Sequence, residues 1–80
     1  MMNAYDIQCT VVETIASVLK KELVDIDEHV SFADLGADEL DLFEFVLKME
    51  DAFLIEISDA DAQTLTSVAQ TVSYIAARKL

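Results

Sequence analysis

Apolar residues recur every three to four positions along most of this chain, the period of a helix with one buried face. From Tyr5 to about Lys20, that face is marked by Cys9, Val12, Ile15, Ala16 and Leu19, and Lys20 and Lys21 follow where cations complement the helix dipole. From Glu22 to Ala37 the period is lost. Leu23, Val24, Ile26, Val30, Phe32 and Leu35 stand scattered among acids, which predicts a long loop that these anchors pack down, with room for a helical turn. Gly36, the only glycine, directly precedes a strong helix start and suits a sharp entry.

Asp38 is a good N-cap, with Glu39 and Asp41 as first-turn acids, so a second helix is expected to about Ala52 or Phe53. Ser58 followed by Asp61 predicts a short third helix, and Ser67 followed by Gln70 predicts a last one ending near Lys79, with Val68, Val72, Ile75 and Ala76 buried. The expected fold is all-α: a small four-helix bundle of three main helices and one short one, with a long first loop, in a single domain over residues 1–80.

The helix from Asp38 has two apolar faces. Leu42, Phe45, Val46, Met49 and Phe53 lie within roughly 60° of one direction, as a core stripe should. Leu40, Phe43 and Leu47 fall roughly 100° to 160° away, with Glu44 and Asp51 on their outer side and Glu50 toward the inner flank. An apolar strip bordered by carboxylates fits a docking surface, the acids steering a basic partner and the Leu and Phe side chains supplying buried contact. The alternative is that the long loop covers the strip.

Composition sharpens this picture. Eighty residues with 54% apolar content, no proline and a net charge of -11 describe a packed acidic domain rather than a disordered tail. Such a charge repels phosphate backbones and anionic lipid, so neither nucleic-acid binding nor electrostatic docking on a membrane is expected. The N-terminus has no basic and apolar leader pattern, and no apolar run approaches the ~20 residues of a membrane helix, which points to a soluble, cytoplasmic, monomeric protein. The lone Cys9 has no partner for a disulfide or a metal pair. Fourteen of the sixteen acids lie between Glu22 and Asp61, where Lys48 is the only base. Catalysis is not expected: no nucleophile accompanies Asp38, Glu39 and Asp41, and a bundle this small has little room for a sequestered pocket. Asp25 and Asp27 resemble the start of a calcium loop, but Val30 stands where the sharp turn needs glycine. His29 is read as a solvated or anchoring loop residue.

The run Leu35-Gly36-Ala37-Asp38-Glu39-Leu40-Asp41, followed by Glu44, Glu50, Phe53 and Ile57, resembles the acyl carrier protein family, whose second helix opens on Leu-Gly-x-Asp-Ser-Leu-Asp. The resemblance extends over nearly the whole chain, to Tyr74-Ile75 in the last helix. It implies a carrier fold in which the motif serine holds a 4'-phosphopantetheine arm. Here that position is Glu39. A carboxylate is a weak nucleophile toward the pyrophosphate of coenzyme A, and its product would be a hydrolysable acyl phosphate, so no cofactor is expected on this chain. The resemblance also maps partner recognition onto Asp38, Leu40, Asp41, Phe43, Glu44, Leu47, Glu50, Asp51 and Glu56, which in the family meet basic surfaces of acyl-chain-processing enzymes. Lys48 within the acidic helix, the enlarged strip at Phe43 and Leu47, and Ser58 in place of the usual proline depart from the family pattern. Two functions follow: a non-loaded docking, scaffold or regulatory module of fatty-acid, polyketide or related acyl metabolism, or a carrier of acyl thioesters whose attachment serine has been substituted.

Overall fold

The computed structural model describes residues 2–80. Its helices are α1 (Ala4–Leu19), α2 (Glu39–Phe53), α3 (Asp59–Ala62) and α4 (Val68–Lys79), with a single 3-10 turn at Leu23–Asp25 in the long first loop. No strand occurs among the described residues. The predicted four-helix bundle is therefore the observed one.

Each helix begins where a short polar side chain can take up free backbone N–H groups. Asn3, Asp38, Ser58 and Ser67 are the four N-caps, accepting from the backbone of Asp6, Asp41, Asp61 and Gln70 respectively. Two helices end on residues in the left-handed region, Lys20 (φ 57°) after α1 and Leu54 (φ 55°) after α2. Lys20 therefore closes α1 through its backbone as well as its charge, its N–H reaching the carbonyls of Ala16 and Ser17.

The core is built from Ile7, Val11 and Ile15 of α1, Phe45, Met49 and Phe53 of α2, and Val68 and Ile75 of α4, closed by Phe32, Ile57 and Leu65 from the connections. Helix α1 packs against both α2 and α4. This corrects the expected stripe of α1, since Ile7 and Val11 are fully buried whereas Cys9, Val12 and Leu19 are only half-buried. The reason is the two-sided contact: a helix wedged between two others buries a broad arc, and the middle of that arc falls on 7, 11 and 15. In α4, Thr71 takes a buried position that the apolar pattern passed over, its hydroxyl donating to the carbonyl of Ser67 at 2.8 Å, while Val72 and Ala76 are half-buried.

Only some of the expected loop anchors hold. Phe32 is buried and meets Phe45 edge-on, ring centroids 4.9 Å apart, and Ile26, Val30 and Leu35 are half-buried. Leu23 and Val24 are instead exposed, because the 3-10 turn carries them on the outside of the chain reversal. Hydrogen bonds do the remaining work: Phe32 N–H donates to Thr66 O at 2.7 Å, Ala69 N–H to Glu28 O at 2.9 Å, and Gln8 Nε2 to Glu28 Oε2 at 2.7 Å. The Cα atoms span 30 × 27 × 19 Å, so the narrow dimension is about two helix diameters of roughly 10 Å. Each helix therefore keeps an outward face.

Candidate functional site

The start of α2 is prepared by a tight turn. Gly36 N–H donates to Ala33 O at 3.0 Å and Ala37 N–H to Phe32 O at 2.9 Å, and Gly36 adopts φ +100°, which an L side chain would strain. Asp38 and Asp41 then form a reciprocal capping box: Asp38 Oδ1 accepts from Asp41 N–H at 2.8 Å and Asp41 Oδ2 from Asp38 N–H at 3.0 Å. One oxygen of each is thus committed to the fold. Glu39 is the first residue of the helix, exposed, and no hydrogen bond or ion pair engages its carboxylate among the described residues.

The second apolar face is open. Leu40, Phe43 and Leu47 are 73%, 62% and 48% exposed, so the long loop does not cover them. Of the core stripe expected on the same helix, Phe45, Met49 and Phe53 are buried, whereas Leu42 and Val46 are only half-buried against the core. Glu44, Lys48 and Asp51 are exposed beside the strip, and Glu56 is exposed in the connection to α3. The only ion pairs among the described residues are His29 with Glu28 and Arg78 with Asp61, so the carboxylates of α2 are not neutralised within the protein, and Lys48 is paired with none of them.

Glu50 behaves differently. It is half-buried, and its Oε2 accepts the N–H of Ile57 at 2.8 Å, tying the chain beyond α2 back onto the helix. Periodicity places Glu50 on the flank of the strip but has no access to this bond, which depends on where the chain returns. A shallow groove of about 500 Å³ runs between α2 and α3, with Phe43, Leu47 and Ile57 as apolar lining and Glu39, Glu50 and Asp59 as its acids. No base lines it.

From Gly36 to Phe43 the chain offers carboxylates and apolar groups but no hydroxyl, thiol or amine. The nearby serine oxygens accept local backbone bonds, Ser31 from Asp34 N–H at 3.1 Å in the long loop and Ser58 from Asp61 N–H at 3.1 Å as the cap of α3. These residues do not fit a phosphodiester-linked arm at the head of α2. No group of side chains able to hold a metal ion occurs among the described residues. His29 is an exposed loop residue: its backbone N–H donates to Asp27 Oδ1 at 2.8 Å, and its imidazole stands in solvent 3.1 Å from Glu28 Oε1.

One cluster carries no signature in the apolar pattern. Tyr74 OH donates to Asp61 Oδ2 at 2.8 Å, Arg78 reaches the same oxygen at 3.3 Å, and its guanidinium lies 3.6 Å from the centre of the Tyr74 ring. Partial burial and the hydrogen bond to Asp61 raise the Tyr74 phenol above the ordinary tyrosine value, and the Arg78 charge opposes that rise. The spacing of Tyr74 and Arg78 by one helical turn was visible in the sequence; their meeting with Asp61 was not.

Residues 9–75 match the family model described as "Phosphopantetheine attachment site". The acyl carrier protein of Exiguobacterium sp. (strain ATCC BAA-1283 / AT1b) is 41% identical over 75 residues, covering 92% of this chain and 95% of its own. That of Solidesulfovibrio magneticus (strain ATCC 700980 / DSM 13731 / RS-1) is 40% identical over 68 residues, covering 84% and 87%. In fold, the chain is similar to the NMR structure of the HMG-ACPI domain from the CurA module of Lyngbya majuscula, with a TM-score of 0.83 over 95% of this chain and 77% of that one at 23% identity. Since the family model spans most of the chain and the two carriers align along nearly their whole length, this chain belongs to the acyl carrier protein family.

Proposed function

We propose that this chain is a non-loaded member of its family, which docks through α2 on basic surfaces of acyl-chain-processing enzymes and serves there as a scaffold, regulator or decoy. The observation that carries the reading is the combination on one helix of a carboxylate at Glu39, where the family motif has serine, with an uncovered strip of Leu40, Phe43 and Leu47. Charge supports the same reading, because unneutralised acids beside an apolar strip raise the rate of encounter with a basic partner while the strip provides the buried contact. Among the acids, Glu44, Asp51 and Glu56 are free to meet a partner, whereas Asp38, Asp41 and Glu50 serve docking only with the oxygens their structural bonds leave over. No catalytic role is assigned, the family being one of carriers.

Intact mass after incubation with coenzyme A and a broad-specificity phosphopantetheinyl transferase tests the unloaded state. No gain is expected, and a Glu39→Ser variant is expected to gain one phosphopantetheine. A gain on the unchanged chain sinks the reading and makes it a working carrier. Docking is tested separately, by titrating purified acyl carrier-dependent synthases and reductases with the chain: Phe43→Ala and Glu44→Lys should each weaken binding at least tenfold without unfolding the bundle. If neither variant changes the affinity of any enzyme that binds, the strip is not the interface.

A further inference from the structure

Most of the large apolar side chains left exposed fall in two groups. Leu40, Phe43 and Leu47 form the strip of α2. Tyr5 near the start of α1, with Leu23 and Val24 in the 3-10 turn, makes the second, and these three are 72%, 55% and 90% exposed. A groove of about 390 Å³ joins the two elements, lined by Tyr5, Cys9, Val12 and Leu23 together with polar Gln8 and Glu13. It shares no residue with the strip or with the groove between α2 and α3.

Length and charge define what fits there. Tyr5 to Glu13 covers about 12 Å of α1 at the helical rise, and anchors at i, i+4 and i+7 of a facing helix span roughly 10 Å. Glu13 is the one charged residue of the lining. Asp6, Glu22 and Asp25 are exposed on the same helix and turn, and none of these four acids is in an ion pair among the described residues. Lys20 and Lys21 follow α1 outside the lining and offset only two of the four, so the face stays net negative. A second copy brings the same acids and a net charge of -11, which opposes self-association here and favours a basic partner. We propose that the groove between α1 and the 3-10 turn is a second docking site, and that its occupant is an amphipathic helix of a partner protein with apolar anchors on one face and Lys or Arg beside them. With an enzyme on α2, the chain then bridges two proteins, which selects the scaffold among the roles named above. That bridging, though not the groove itself, rests on docking through α2.

Titration of the intact chain with a stapled, amidated helical peptide, Leu on one face and Lys on the other, followed by amide NMR, reads both faces at once. Shifts are expected at Gln8, Cys9, Val12 and Leu23, separately from those at Phe43 and Leu47. Tyr5→Ala, at an exposed ring, should weaken the α1 site about tenfold and leave the α2 site and the urea midpoint unchanged. Glu13→Lys removes no packing and should weaken the α1 site about fivefold at low salt, less at high salt. Peptides with Glu for Lys, or Ser for Leu, should bind this site about tenfold more weakly than the Leu and Lys peptide. With an acyl carrier-dependent enzyme saturating α2, one peptide should still bind at α1, and its displacement overturns the bridging role. Shifts at α1 without shifts at α2 sink docking through α2 and leave the groove standing. The groove is overturned if shifts are confined to α2, if neither variant weakens binding at α1, or if the Glu or Ser peptide binds as well as the first. It is overturned too if sedimentation of the free chain shows a dimer that Tyr5→Ala dissociates, which makes a second copy the occupant.

Discussion

Helices α2 and α3 begin in the same way and are held in opposite ways. Each opens on a side-chain cap that accepts the N–H three residues on, and each carries two acids in its first turn. Beyond that turn, α2 sends Phe45, Met49 and Phe53 into the core, whereas α3 has no fully buried residue, touches the core only through half-buried Ala62 and is tied to α4 by polar groups. Capping decides where a helix starts; burial decides whether it stays. A helix secured by one apolar stripe can present a second to solvent, which is the condition for docking. One secured by a few polar bonds and a single alanine is expected to open at lower free energy than the core helices.

The difference predicts a hierarchy of substitution effects. The largest belongs to Phe45→Ala, which empties a fully buried site against Phe32 and should cost about 3 to 5 kcal/mol in urea unfolding. Phe43→Ala, two residues earlier on the exposed strip, should stay within about 0.5 kcal/mol. Comparable losses at the two sites would mean that the strip is packed, and the comparison would fail.

Next come the caps. Asp38→Ala removes one half of a capping box at the head of a core helix, and unfolding should register a loss of about 1 to 2 kcal/mol. Ser58→Ala removes an equivalent acceptor from α3. Because α3 has no fully buried residue, that loss should appear in the exchange of the α3 amides and move global unfolding by less than about 0.5 kcal/mol. Equal global effects would place α3 in the same cooperative unit as α2.

These contrasts also explain what could be read in the sequence. Caps and apolar periods are local, so Asp38, Ser58 and Ser67, and both faces of α2, were legible along the chain. On α1 periodicity points to Cys9, Val12, Ile15, Ala16 and Leu19, and only the placement of α2 and α4 against the helix selects Ile7 and Val11 over Cys9 and Val12. Leu23 and Val24 do not anchor the loop, because apolar character without a period does not say which side of a turn a residue faces. The site divides in the same manner. Exposure of Leu40, Phe43 and Leu47 follows from their angle on the helix, while the bond from Glu50 to Ile57 and the meeting of Asp61 with Tyr74 depend on tertiary return and left no trace in spacing.

The smallest expected effect is a dependence on alkaline pH that only the polar-held helix should feel. Tyr74 has its phenol raised above the ordinary value of 10.0, chiefly by partial burial and then by its hydrogen bond to Asp61. A group whose folded pKa is raised holds its proton more tightly in the folded state, so its contribution is complete below the unfolded value of 10.0 and is lost as pH climbs through the folded one. The midpoint difference in thermal unfolding between the natural chain and Tyr74→Phe should therefore be constant at neutral pH and shrink above pH 10.0. Tyr5 is also raised, first by its hydrogen bond with Cys9, but it is present in both proteins and cancels in the difference. Phe43→Ala, whose face of α2 carries no phenol, should show a pH profile parallel to the natural chain across the same range. A Tyr74→Phe difference that persists unchanged well above pH 10.0 would mean that the ring's packing, and not its hydroxyl, holds α3 to α4.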